Sequence, residues 1–276
     1  MHMQLATQSL FSDLEHDIKP GVLIVVGTGI GGAGQTTRAA RRAIEVADRV
    51  HFAVVDPWTV RWIRSLNTNA CSLPYPLDDS PRRATYDDMS ERILADVRAG
   101  LRVCAVFYGH PGVLAAASHD AVHRARSEGY QAYMLPGVSA IDCLFADLGV
   151  DPGQTGCQLY EANDFLLRPR QFDIYAALIL CQVGLIGNRG FFDAANTGRI
   201  QRGLATLSDS LVGRYPCGQE ALIYEAALLP TERPRMEWVA LTALADVEVS
   251  DLTTLYIPAV SGAPIDIETL RRLEIG

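Results

Sequence analysis

A chain of 276 residues, 49% hydrophobic and 20% charged, has enough apolar mass for one large or two modest globular domains. Its 32 acidic against 24 basic side chains give a formal net charge of -8, which argues against a nucleic-acid partner because such proteins carry a basic footprint. The six cysteines (Cys71, Cys104, Cys143, Cys157, Cys181 and Cys217) form no C-x-x-C pair and no zinc-ligand spacing, which fits a reducing cytoplasm and no metal site, and no apolar run reaches the roughly 18 residues of a membrane span.

Residues 1–20 read as a loose or weakly helical arm without a basic-then-apolar signal pattern. Val22–Val26 is a buried strand entering GTGIGGAGQ, Gly27 to Gln35, and a helix-like run follows as far as Val50. His51–Val55 is a second strand, Trp58–Leu66 a short helix, Cys71–Pro76 a short extended piece and Asp78–Arg83 a polar loop. Thr85–Ala99 carries Met89, Ile93, Leu94 and Val97 at helical spacing. Val103–Phe107 is a buried strand, Ser118–Gly129 a helix, Ala132–Leu135 a strand, and a helix then runs to Leu148. Strand–helix alternation of this kind predicts a mainly parallel sheet.

Asp151-Pro152-Gly153 reads as a hinge. Beyond it, helices thin out. Strands are expected at Gln158–Glu161, Ala176–Val183, from Ala221, at Met236–Val239 and at Thr253–Ile257, with helices at Ile200–Leu211 and Pro264–Leu273. Sparse helices suggest a more antiparallel sheet. The expected division is an arm (1–20), an N-terminal α/β lobe (21–150), a C-terminal α/β lobe (151–260) and a tail (261–276), with a cleft between the lobes.

Two glycine turns invite a ligand. Gly27-x-Gly29-x-x-Gly32, after a strand and before a helix, matches a dinucleotide fingerprint, with Asp48 or Asp56 available as the ribose acid. A tight turn without a ligand satisfies the same pattern. Val103–Leu114, VCAVFYGHPGVL, is a buried strand running into Tyr108-Gly109-His110-Pro111-Gly112. The carboxyl edge of a parallel sheet is where open α/β folds bind ligands.

Taken together, GTGI, FYGHPG, LPGVSA, Gln182 and TTLYIP resemble the tetrapyrrole-methylase fold class, whose members use S-adenosylmethionine. FYGHPGV, SEGY, MLPGVSAIDCLFADLGVDPG and YEANDFLLR resemble, more closely, the borosin peptide-backbone α-N-methyltransferases, over about residues 21–260. The resemblance implies methyl transfer from S-adenosylmethionine to backbone amide nitrogens of a ribosomal peptide, with no metal. It also implies that the front glycine loop lies on the substrate side, which removes most of the nicotinamide reading.

An amide nitrogen is a poor nucleophile because its lone pair is delocalised into the carbonyl. Catalysis therefore needs a base for the N–H proton and a partner for the charge on oxygen. The resemblance places these roles on Arg82 and Tyr86, which share a helix face if the helix begins near Ser80. Arg82 is then the fixed cation, with Arg83 as its competitor, and Tyr86 the general base. Tyr75 matches a second catalytic tyrosine. Without the resemblance, this stretch reads as a solvated charged turn. For the cofactor the same transfer selects Tyr108, His110 and Val113, then Ser139 and Ala140, then Gln182, Ala226, Thr253 and Thr254. Gln182 otherwise reads as a buried amide, and the two threonines as ordinary strand residues.

Fungal members of that family carry their substrate as a C-terminal tail. SGAPIDIETLRRLEIG holds one short amphipathic helix and no Val/Ile/Gly-rich core segment, so the expectation is a split, bacterial-type system acting in trans on a separate precursor peptide. The resemblance also implies a homodimer. The alternatives are a small-molecule methyltransferase acting on a tetrapyrrole and a catalytically silent peptide-binding module.

Overall fold

The computed structural model of the chain describes residues 20–54, 56–75, 82–168, 170–188 and 197–275. The arm expected over residues 1–20 lies outside them except for Pro20, as do Val55, Pro76, the expected helix start near Ser80 and most of the 78–83 loop. Contacts divide the chain into two units, one running up to Cys143 and including Ala227–Glu232, the other comprising Leu144–Ala226 and the residues from Arg233 onward.

The first unit is a five-stranded parallel sheet. Its strands β1 (Val22–Gly27), β2 (Arg49–Ala53), β3 (Ala70–Ser72), β4 (Arg102–Phe107) and β5 (Gln131–Met134) lie in the order β3-β2-β4-β1-β5. Helices α1 (Arg38–Val46), α2 (Pro57–Leu66), α3 (Arg82–Arg98) and α4 (Ala116–Ser127) cover it, and α5 (Ala140–Leu148) follows β5. Alternate strand residues feed two cores. Leu23, Val25, Val103, Ala105 and Phe107 pack with Met89, Ile93 and Ala121 of α3 and α4. Val26, Cys104 and Val106 pack with Ala40, Ile44 and Ile63 of α1 and α2. Burial on both faces explains why these strands are apolar throughout.

Helix ends are set by caps. The Thr37 hydroxyl accepts from the Ala40 N–H at 3.1 Å and the Asp56 carboxylate from the Thr59 N–H at 2.8 Å, with Pro57 opening α2. The helix expected to reach Val50 stops at Val46. Ala47 turns extended, and the Asn67 amide donates to the Ile44 and Ala47 carbonyls at 2.9 and 2.8 Å. Residues 49 and 50 then belong to β2.

The second unit is a mixed sheet, in keeping with its expected antiparallel character. Strands β6 (Cys157–Glu161), β7 (Ala177–Cys181), β8 (Glu220–Glu225), β9 (Arg235–Ala240) and β10 (Thr254–Ile257) run in the order β6-β7-β10-β8-β9, with β6 and β7 parallel and the remaining pairs antiparallel. Helix α7 (Thr197–Val212) buries Ile200, Leu204, Leu207 and Leu211 against Leu178, Leu180, Ile223 and Leu255. Helix α6 (Ala162–Leu167), not anticipated from the sequence, is capped by the Glu161 carboxylate, which accepts from the Asp164 N–H at 2.7 Å. Helix α8 (Ile267–Arg272) buries none of its residues, only Leu270 being partly covered.

Candidate active site

In the first unit the five parallel strands all empty at one sheet edge, so the segments after β1, β3, β4 and β5 converge there. Tyr75 follows β3. Helix α3 crosses the sheet over 17 residues and begins at Arg82, which puts its first turns at the same edge. Arg82 and Tyr86 are both half-buried and Arg83 is exposed. Arg82 and Tyr86 therefore share a helical face as expected. Tyr75 and Tyr86 both pack against the α3–α4 core. Burial pushes the Tyr75 phenol up to about 12, with the Tyr86 hydroxyl adding to the shift. The two tyrosines are thus neighbours, and burial disfavours ionisation of the Tyr75 phenol.

The glycine loop after β1 is closed on itself. Gln35 Oε1 accepts the Ile30 and Gly31 N–H groups at 2.8 and 2.9 Å. Those are the amides a pyrophosphate would use in a dinucleotide fold. The Thr28 N–H goes to the Phe107 carbonyl at 2.9 Å, and Gly29 and Gly109 exchange both backbone hydrogen bonds at 3.2 and 3.1 Å. The loop that matches the fingerprint is therefore braced by Gln35 and pairs with the β4 turn.

The β4 turn carries Tyr108, His110 and Val113. Gly109 has φ +71°, a conformation that favours glycine. The Tyr108 N–H donates to the Ala53 carbonyl at 3.3 Å and the Val113 N–H to the His110 carbonyl at 3.2 Å. His110 Nδ1 accepts from the Gly112 N–H at 2.9 Å, which puts the proton of a neutral ring on Nε2. The Ser118 hydroxyl donates to the Pro111 carbonyl and fastens the turn to α4. The turn after β5 lies beside it: a Cβ built on Gly137 would sit 3.3 Å from the Gly109 carbonyl oxygen. There the buried Ser139 caps α5. Its N–H and hydroxyl both donate to the Asp142 carboxylate at 2.6 Å, and its oxygen accepts from the Asp142 N–H at 3.3 Å. Ala140 is the first residue of α5.

In the second unit β10 runs antiparallel between β7 and β8, so its start meets their ends. Gln182, Ala226, Thr253 and Thr254 come together on that edge. Gln182 leaves β7 with φ 57° and ψ 36°, a left-handed conformation unusual for a residue with a side chain. Thr254 pairs with Tyr224. Its hydroxyl bonds the Cys181 thiol, against the burial that pushes that thiol up to about 12. The fully buried Thr253 donates its hydroxyl to Glu225 and accepts from the Ser250 N–H at 2.8 Å. Its carbonyl accepts from the Val183 N–H at 3.2 Å.

Three residues here escaped the sequence reading. Gln35 has no local signature beyond ending a glycine loop. Glu225 looks like a solvated strand end. Asn163 of α6 donates to the Leu185 carbonyl at 3.1 Å and accepts from the Gly187 N–H at 2.7 Å, bracing the loop after Gln182, and its place within YEANDF was the one available hint. Among the described residues, no cluster of His, Cys, Asp or Glu could hold a metal ion, and no helix is long and apolar enough to cross a membrane.

Residues 22–179 match the family model Tetrapyrrole (Corrin/Porphyrin) Methylases. The chain is 43% identical over 262 residues to the methyltransferase/ribosomally synthesized cyclic peptide dendrothelin A precursor of Dendrothele bispora (strain CBS 962.96), an alignment covering 93% of this chain and 62% of that protein. It is 41% identical over 262 residues to the corresponding omphalotin A precursor of Omphalotus olearius, again covering 93% of this chain and 62% of the relative. The chain therefore spans less than two thirds of the length of these curated relatives. Among solved structures, uroporphyrin-III-C-methyltransferase from Thermus thermophilus superposes with a TM-score of 0.63 at 20% identity, covering 90% of this chain and 99% of that one, a likeness of fold. The mixed α/β architecture, the glycine turn after β4 and the match over more than half of its length agree that this chain belongs to the tetrapyrrole (corrin/porphyrin) methylases.

Proposed function

We propose that the chain is an S-adenosylmethionine-dependent methyltransferase that methylates backbone amide nitrogens of a ribosomal precursor peptide, repeatedly and in trans, as a homodimer. The observation that carries this reading is the grouping of Tyr75, Arg82 and Tyr86 at the carboxyl edge of the first sheet. The names of the relatives, which join a methyltransferase to a cyclic peptide precursor, support a peptide substrate.

The residues assigned to the cofactor fit such a group. In the first unit, Tyr108, His110 and Val113 present a glycine-rich turn, and Ser139 and Ala140 a helix start. In the second unit, Gln182, Ala226, Thr253 and Thr254 present small side chains, backbone and one amide. Neither set is a phosphate cradle, and the amides of the front loop are already taken by Gln35. When bound, the cofactor supplies an electrophilic methyl group on a sulfonium sulfur.

The chain's own residues do the rest. Tyr86 as phenolate takes the amide proton. Arg82, one helical turn before it, supplies positive charge to the developing imidate oxygen. Tyr75, kept protonated by burial, donates a hydrogen bond to the same oxygen. Replacing Tyr86 by Phe keeps the ring packed against the core and deletes the base. Methylation of the peptide is expected to fall by about 100-fold or more with cofactor binding retained, because a positioned general base contributes about that much. An unchanged rate would remove Tyr86 from this role. Intact-mass analysis of both chains after reaction tests the in-trans arrangement: methylene increments are expected on the peptide, and increments on the enzyme alone would contradict it.

A further inference from the structure

We infer that Glu225 is the positioning residue that sets the cofactor-binding edge of the second unit. The inference rests on the reading above, in which that edge takes the cofactor.

One carboxylate oxygen joins the segments that carry all four assigned residues. Glu225 Oε1 accepts from the Ser250 hydroxyl at 2.9 Å, from the Thr253 hydroxyl, and from Arg235 Nη1 at 3.3 Å. Ala226 is its chain neighbour. Thr254 opens β10 and Thr253 precedes it. Through the Thr253 carbonyl the link passes to the Val183 N–H, the residue after Gln182. The 250–253 turn is closed by the Thr253 N–H on the Ser250 carbonyl at 3.1 Å and packs so tightly that a Cβ on Gly184 would lie 1.8 Å from that same carbonyl oxygen.

Gln182 is the reason such a clamp is needed. A non-glycine residue at φ 57° is strained and persists only where its surroundings over-determine it. Thr253 is held as a hydroxyl donor by the carboxylate and as an acceptor by the Ser250 N–H, so its rotamer and carbonyl direction are fixed. Arg235 has other partners, Glu237 at 2.7 Å and the Glu248 carbonyl at 2.9 Å. Loss of Glu225 therefore first loosens the Ser250 and Thr253 hydroxyls, and through Thr253 the segment that carries Gln182. A ligand that needs the left-handed turn must then reorder it, and the cost appears in affinity.

The test is titration calorimetry of the full chain with S-adenosylhomocysteine, for the wild type, Glu225→Gln and Glu225→Ala, with melting temperatures alongside. Glu225→Ala is expected to bind about tenfold or more weakly at unchanged stoichiometry, since hydrogen bonds to a charged group are worth that much. Glu225→Gln keeps an acceptor oxygen at the same place and is expected to recover most of the affinity. A purely structural role would lower the melting temperature and the active fraction but leave the dissociation constant of the folded protein unchanged, and that result would overturn the inference. If Glu225→Ala does not fold, Ser250→Ala, which removes a hydroxyl that Glu225 holds and lies outside the assigned cofactor residues, decides in its place, with a severalfold loss of affinity expected and an unchanged constant contradicting the inference. A wild-type chain that takes up no cofactor would remove the cofactor reading and this inference together, whereas wild-type binding matched by both variants would remove Glu225 alone.

Discussion

Tyr75 and Tyr86 are chemically alike, and the proposed function gives them different work. Burial pushes the Tyr75 phenol up to about 12, so it stays protonated through the neutral range. If Tyr75 is the proposed oxyanion donor, Tyr75→Phe lowers the methylation rate by about 100-fold, the usual loss for one such donor, without moving the apparent pKa of the rate profile. A shift of that profile would mean that Tyr75 carries the titrating proton. Ultraviolet titration gives an independent check: the phenolate signal missing from Tyr75→Phe should be the one that appears near 12 in the parent.

Two ties hold the elements that carry the candidate residues, and each has its own weak point. Helix α3 is tied to β2 by His51, whose Nε2 lies 2.7 Å from Asp96 Oδ2. Burial lowers the His51 pKa below 6.5; the Asp96 hydrogen bond and charge oppose this, and Arg49 and Arg92 add to it. A folded-state value below the unfolded one means that the unfolded chain binds protons more readily. The stability linked to this histidine is therefore complete above 6.5 and declines as pH falls from there towards the folded value. Urea unfolding between about pH 7.5 and 5 should show a shallower acid loss in His51→Gln than in the parent, and an identical pH dependence would contradict the assignment. The clamp between the β1 and β4 turns is the other weak point. A Cβ on Gly27 would lie 2.0 Å from the Gly109 carbonyl oxygen and 2.8 Å from Pro111 Cδ, and the backbone there cannot yield cheaply. Gly27→Ala is expected to cost about 3 kcal/mol in denaturant unfolding, at the upper end for overpacking. A loss within experimental error would show that the β4 turn can move.

For the molecule as a whole, what could be read from sequence followed the range of the forces. Strands β1, β4 and β7 are buried on both faces and show themselves as unbroken apolar runs. Helix α7 repeats Ile200, Leu204, Leu207 and Leu211 at helical spacing and was equally plain. Helix α1 was read too long because its stop depends on Asn67, twenty residues away from Ala47. Helix α6 was missed because it is six residues long and capped by a glutamate rather than a preferred capping residue. At the candidate site, the glycine turns and the Arg82–Tyr86 spacing are local patterns, and the resemblance supplied their meaning. Asn163 and Glu225 act on partners ten to twenty-eight residues away, which no local pattern records, and Gln35 acts on the loop just before it without belonging to any recognised motif.

The most direct measurement is tandem mass spectrometry of a candidate precursor peptide after incubation with the full chain and S-adenosylmethionine, run beside Tyr86→Phe. Fragment ions should place each added methylene on a backbone nitrogen with the parent chain and show almost none with the variant. Methyl groups on side chains, or equal labelling by the variant, would contradict amide deprotonation by the Arg82–Tyr86 pair.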